Sequence, residues 1–238
     1  MSSANEIQFA PLGDRGVTIT LGDTIDEATN RRVRAIAALL DTHAVPCVVD
    51  QVPAFASLTV HYDPALVAGE ESEGSPYERF VDTLEPLLAG SHTDELPPPR
   101  VVEIPVCYGG DLGPDLEDVA RQHSLSVDDV VRIHADGDYL VYMVGFMPGF
   151  AYLGGLAPEL VTPRRSSPRT AVPAGTVGIG GQQTGVYPLV SPGGWNLIGR
   201  TPLRIFDATR ENASLLEAGD RVRFVPISRT DFDTWTSA

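Results

Sequence analysis

Apolar and polar residues alternate in "GVTITL" (residues 16–21), the period of a half-buried strand. The period then lengthens. Val33, Ile36, Ala37 and Leu40 recur at helical spacing after a start signal between Thr24 and Asp26, so "TIDEATNRRVRAIAALLDTHA" predicts an amphipathic helix. "PCVVDQVPAFASLTVHYD" predicts two strands around Pro53, with clean alternation from Ser57 to Tyr62. "SPYERFVDTLEPLLAG" predicts a second helix, interrupted or bent at Pro86 and closed by Gly90. Strand, helix, strands and helix within this first part suggest a small α+β sandwich. The run Pro97–Pro99 continues neither a helix nor a central strand; it predicts a stiff spacer and a domain boundary at residues 91–99.

The second part opens on a predicted strand, "RVVEIPVCYG", followed by two short helices. "GPDLEDVARQHS" has Pro114 at a first helical position and acids in the first turn, and "SVDDVVRIHADG" is capped by Ser126 and ends before Gly137. Helical periodicity then disappears. "YLVYMV", "TPR", "GTVGIG", "QTGVYPLVS", "WNLIG", "PLRIF" and "DRVRFVP" read as short strands between Gly and Pro turns, the pattern of a β-barrel or sandwich.

Two stretches lack charge altogether: Tyr139–Pro158, 20 residues, and Thr170–Gly199, 30 residues. The first is long enough for a membrane span, but Gly145, Pro148, Gly149, Gly154, Gly155 and Pro158 break it, and backbone freed by such breaks is unsatisfied in lipid. The second exceeds what a barrel interior requires, since alternate residues of a barrel strand face outward. Either it is core and loops, or its outer face meets a ligand or partner.

Charge sharpens this reading. The 238 residues carry 17 arginines, no lysine and 32 acids, for a net charge of −15. Such acidity argues against nucleic acid or an anionic membrane as partner. It fits either a GC-rich genome or adaptation to high salt, where screening relieves carboxylate repulsion. Without lysine the chain has no P-loop and no Schiff-base nucleophile. Against this background, residues 160–206 contain no acid and five arginines: Arg164, Arg165, Arg169, Arg200 and Arg204. A basic island in an acidic chain implies an anion, and the planar guanidinium fork suits carboxylate and phosphate; pairing with acids elsewhere in the fold is the structural alternative.

Other motifs exclude more than they offer. "GIGGQQTG" has Gln183 where a dinucleotide fingerprint needs glycine, and there is no G-x-S-x-G. "SPGGW" could form an anion-binding backbone nest through Gly193 and Gly194. His134 ends a predicted helix, where the dipole alone favours histidine, so structural and functional readings both stand. Cys47 and Cys107 lack metal spacing, and the N-terminus lacks a secretory pattern; reduced cysteines and a cytoplasmic location are expected.

"GFMPGFAYLGGL", "TPRRSSPRTAVPAGTVGIGGQQTGVYPLVSPGGWNLIGRTPL" and "AGDRVRFVPI" together resemble the subunit-1 family of 5-oxoprolinase. That family is also called allophanate hydrolase subunit 1 and includes the kinase inhibitor KipI. The likeness covers most of residues 101–227. It implies an α+β (ferredoxin-like) N-terminal domain over residues 1–93 and a mainly-β cyclophilin-like barrel over residues 100–238. It implies an ATP-dependent opening of 5-oxo-L-proline to L-glutamate, with ATP bound at the level of a complex and no metal ligand set in this chain. The partners would be subunit 2 of the same system, its C subunit, together with an A subunit of the lactam-utilisation type. The resemblance also admits a regulatory module that inhibits a sensor histidine kinase, or half of a urea carboxylase or allophanate hydrolase complex; peptidyl-prolyl isomerase activity rests on barrel analogy alone. Carried onto this chain, candidate catalytic positions are His134, Tyr142, Gln183 and Thr184. Candidate anion-binding positions are Arg164, Arg169, Arg200, Gly193 and Gly194, and candidate partner-interface positions are Phe146, Pro148, Phe150, Tyr187 and Trp195.

Overall fold

The computed structural model describes residues 7–69, 74–89 and 96–236. The chain divides into two compact units, Met1–Pro98 and Pro99–Ala238.

In the first unit, β1 (Gln8–Pro11), β2 (Gly16–Thr20), β3 (Val48–Pro53) and β4 (Ser57–Tyr62) form an antiparallel sheet in the order β1-β2-β4-β3. The alternation read from sequence selects its inner face: Val17 and Ile19 of β2 and Leu58, Val60 and Tyr62 of β4 are buried. Helices α1 (Glu27–His43) and α2 (Pro76–Leu88) cover that face with Val33, Ile36 and Leu40, and with Phe80, Leu84 and Leu88. Asp26 caps α1 by accepting the Thr29 N–H, and Ser75 and Glu78 form a reciprocal capping box on α2. Helix α2 is neither interrupted nor ended at Pro86. The proline sits in the last turn, and the Asp82 carbonyl that its missing N–H leaves free lies on the solvent side. Gly90, expected to close this helix, lies outside the described residues. Strand β1 was not anticipated: it is an exposed edge strand with only Phe9 half-buried, so it shows little hydrophobic pattern.

The second unit is a closed seven-stranded barrel. Its strands are β5 (Val101–Tyr108), β6 (Tyr139–Val144), β7 (Ala151–Gly154), β9 (Thr176–Gly180), β10 (Gln183–Val186), β12 (Asn196–Arg200) and β13 (Arg221–Pro226). They run in the order β10-β7-β6-β13-β5-β12-β9. All neighbours pair antiparallel except β5 and β13, which run parallel from Val101↔Arg221 to Val106↔Pro226. Ile104, Val106, Tyr139, Val141, Val177, Ile179, Ile198, Val222 and Phe224 fill the main core of this unit. Helices α3 (Leu116–Gln122) and α4 (Val127–Ala135) add Leu116, Val119 and Val130 to it. Outside the barrel, β8 (Arg169–Val172) and β11 (Ser191–Gly193) form a two-stranded ribbon, and α5 (Arg229–Asp233) follows the last strand.

Three expectations change here. "TPR" makes only an isolated bridge, Thr162↔Gly181, and "PLRIF" only the bridge Phe206↔Ser214. Each contains a proline, which cannot donate to a ladder. Pro114 precedes α3 by two residues, and Asp115 stands at the N-cap without capping it. Its carboxylate is committed elsewhere.

Candidate functional site

Strand β9 is buried on both sides, which explains much of the second uncharged stretch. Val177 and Ile179 point into the barrel; Gly178 and Gly180 present bare backbone outward. The ring of Trp195 lies on that backbone. A Cβ at Gly180 would overlap the indole, and one at Gly185 of β10 would stand 3.2 Å from it. The glycines of "GIGGQQTG" are therefore a floor for an aromatic ring, set at the two-residue period of the strands.

A second, smaller core grows on this floor from Phe150, Val172, Tyr187, Trp195 and Leu197. Phe150 is its hub, meeting Phe146, Tyr152, Tyr187 and Trp195 edge to face with centroids 5.6, 5.0, 5.8 and 5.7 Å apart. Such pairs add about 0.5–1.5 kcal/mol each beyond area burial. These rings line a pocket of about 330 Å³, together with Arg164, Arg165, Pro168, Pro192, Gly193 and Gly194.

The pocket's charge is set from behind. The buried Asp115 carboxylate accepts from Arg165 Nη1 (3.0 Å) and Arg169 Nη2 (2.7 Å) on Oδ1, and from the Leu197 N–H (2.7 Å) on Oδ2. Arg164 is exposed and makes no carboxylate contact among the described residues. The site thus holds three guanidinium groups to one carboxylate, and among the described residues no acid lines the cavity. Tyr187 is raised above the ordinary phenol range by burial; the backbone N–H of Trp195 and the charges of Arg164 and Arg169 oppose that shift.

The structure thus brings together Arg164, Gly193, Gly194, Phe146, Phe150, Tyr187 and Trp195. Phe150, Tyr187 and Trp195 are 3%, 3% and 5% exposed and form walls of the pocket. Phe146 and Pro148 are exposed. Gly193 and Gly194 border the pocket, but neither has the positive φ of a backbone nest, and the Gly194 carbonyl already accepts the Arg165 N–H. Arg169 backs the pocket through Asp115 and through the pairing of β8 with β11. Arg200 is elsewhere, its Nε bonded to the Ala174 carbonyl.

The four candidate catalytic positions lie apart from the cavity. His134 is fully buried, with Nδ1 2.8 Å from the Tyr108 hydroxyl and Nε2 2.8 Å from Thr184 Oγ1. Thr184 donates its own proton to the Gly178 carbonyl (3.1 Å), so it accepts from His134 Nε2–H, and Tyr108 donates to Nδ1. Burial holds the imidazole neutral, with its pKa lowered to about 3. This chain of bonds joins α4 to β5, β9 and β10. Tyr142 is buried against Gly154, and Gln183 pairs with Gly180 at the start of β10. Sequence reading missed Tyr152, Arg165, Pro168 and Pro192 as lining residues and Asp115 behind them. Only Arg165 carried a signal, as a member of the basic island.

The sequence matches the family described as "Carboxyltransferase domain, subdomain C and D" over residues 7–216. It is 47% identical to the B subunit of 5-oxoprolinase from Bacillus subtilis (strain 168), across 96% of each chain. It is 43% identical to the B subunit of 5-oxoprolinase from Escherichia coli O157:H7, across 90% of this chain and 94% of that one. Among solved structures, TTHA0988 superposes with a TM-score of 0.75 at 39% identity, over 90% of this chain. The chain spans 40% of that longer protein.

Proposed function

The chain belongs to the carboxyltransferase domain, subdomain C and D family, and we propose from that premise that it is the B subunit of a 5-oxoprolinase. The observation that carries the reading is the 47% identity to the Bacillus subtilis B subunit, which extends over 96% of both chains. The reaction is the opening of 5-oxo-L-proline to L-glutamate, coupled to ATP and carried out with a C subunit of the same system and an A subunit of the lactam-utilisation type.

The pocket suits this role as the place where the lactam acid is held. Its substrate has a near-planar ring and a carboxylate; the cavity offers aromatic faces and the guanidinium of Arg164, which has no ion-pair partner among the described residues, with Arg165 and Arg169 supplying further positive potential. Coupling to ATP creates a phosphorylated species, which the same cationic wall favours electrostatically. A chain without lysine has no P-loop, and we assign ATP to the partner subunits. The neutral His134, held between Tyr108 and Thr184, positions strands β9 and β10 under Trp195 in this reading.

Co-expression of this chain with its two partner subunits tests the proposal. The purified mixture is expected to convert 5-oxo-L-proline to glutamate with stoichiometric ADP release, and the chain alone is expected to be silent. Failure of the mixture, or full activity from the chain alone, overturns it.

A further inference from the structure

Phe146 occupies a backbone conformation that L-residues avoid, at φ 69°. The Met147 N–H reaches the Gly145 carbonyl over 2.8 Å, closing a three-residue turn around it; such a turn with a positive central φ is rare and strained. Two further bonds fix the loop, Gly145 N–H to Phe150 O (2.9 Å) and Phe150 N–H to Met147 O (3.1 Å). Glycine would adopt the same turn without strain, and the loop already uses one at positive φ, Gly149 at 78°. Here a bulky ring stands at the strained position. That ring is 69% exposed, yet it lines the pocket and meets the hub residue Phe150 edge to face at 5.6 Å. An apolar ring held in water by a strained turn is unfavourable on both counts, and strain of this kind persists where function uses it.

We infer that Phe146 is a specificity-determining residue that closes over the ring face of a flat cyclic anion whose charged group is held by Arg164. The inference rests on the pocket being the ligand site of the proposed function. It adds that recognition requires a ring as well as an anion. The small-molecule role is favoured over protein docking because the Phe146 side chain borders the cavity and contacts its inner wall.

Trp195 and Trp235 are the only tryptophans, so in a Trp235→Phe background the emission of Trp195 reports the pocket directly. The full-length chain is titrated with 5-oxo-L-proline, with benzoate as a second flat cyclic carboxylate, and with acetate as a ringless one. The cyclic acids are expected to saturate and acetate to bind at least tenfold more weakly. Phe146→Ala and Phe146→Gly should each lose about tenfold for the cyclic acids, and Phe146→Tyr should retain binding. Phe146→Gly should melt about 2–4 °C above Phe146→Ala, because only glycine relieves the turn.

Saturation by benzoate but not by 5-oxo-L-proline removes the lactam as substrate and leaves this inference standing. Several results overturn it. These are unchanged affinity in Phe146→Ala, equal binding of acetate, no saturation by any of the three acids, or a Phe146→Gly variant that melts no higher than Phe146→Ala. Loss of co-purification with the C subunit at unchanged ligand affinity also overturns it, and makes Phe146 a docking residue.

Discussion

Arg169 Nη2 lies 2.7 Å from Asp115 Oδ1, joining residues 54 positions apart in the sequence. The same oxygen takes Arg165, and the other takes the Leu197 N–H. One buried carboxylate therefore fixes two arginines and the start of α3 to β12. Replacing Asp115 with Ala leaves partly exposed guanidinium groups unpaired and a backbone N–H unsatisfied. A loss of about 2–4 kcal/mol is expected, with Asp115→Asn intermediate. Urea denaturation followed by Trp195 emission measures it; wild-type stability in Asp115→Ala would make the cluster ornamental.

The arginines should separate by role. Arg164→Ala removes an exposed group without an ion-pair partner among the described residues, so stability should stay within about 0.5 kcal/mol while affinity for the lactam acid drops about ten- to a hundredfold. Arg169→Ala should destabilise through Asp115. Arg200→Ala, away from the pocket, should leave affinity unchanged. Isothermal titration paired with thermal melts distinguishes the three, and full affinity in Arg164→Ala would remove the cationic wall from ligand binding.

His134 predicts an acid limb of stability. Its pKa is lowered by burial from 6.5 to about 3. Between those values the unfolded chain binds a proton that the native chain does not, so stability falls as pH drops through this window and is unaffected above it. The slope approaches about 1.4 kcal/mol per pH unit. His134→Gln should be less stable at pH 7, through lost hydrogen bonds, yet show a shallower decline from pH 6 to 4. Parallel declines in both proteins would assign the acid limb to other groups.

The glycine floor makes a steric prediction. Gly180→Ala places a methyl group inside the present position of the Trp195 indole, at a cost of about 1–3 kcal/mol. Gly185→Ala, with 3.2 Å to the ring, should cost less. Displacement of the ring should appear as a red shift of Trp195 emission in the first variant. An unshifted spectrum would mean that the ring does not rest on β9.

Most strands and helices were legible because each buries one face, and that writes a period into the sequence: Val17 and Ile19 at two, Val33, Ile36 and Leu40 near three and a half. The exposed edge strand β1 wrote almost none. The basic island pointed either to an anion or to acids elsewhere in the fold, and only position in space separates Arg164 from Arg165 and Arg169, which pair with Asp115, and from Arg200. Asp115 was hidden because first-turn acids are ordinary and its arginines arrive from 50 and 54 residues away. The aromatic residues were visible as a group. Their inward packing was not, since the surface they cover is glycine and carries no hydrophobic signal of its own. Gly178, Gly180 and Gly185 do share strand faces, and that spacing was the available clue.

The parallel pairing of β5 with β13 has a consequence for how the chain reaches this state. Strand β13 slots between β5 and β6, the first two strands of the barrel. During synthesis those two strands emerge with no neighbour for their facing edges until residues 221–226 follow. The ring therefore cannot close progressively; its seam waits on the last strand, a long-range contact of the kind that slows folding and leaves edges open to aggregation meanwhile. A ribosome stalled before residue 221 would hold an open sheet, and the aromatic pocket would form on a wall that has not yet been locked.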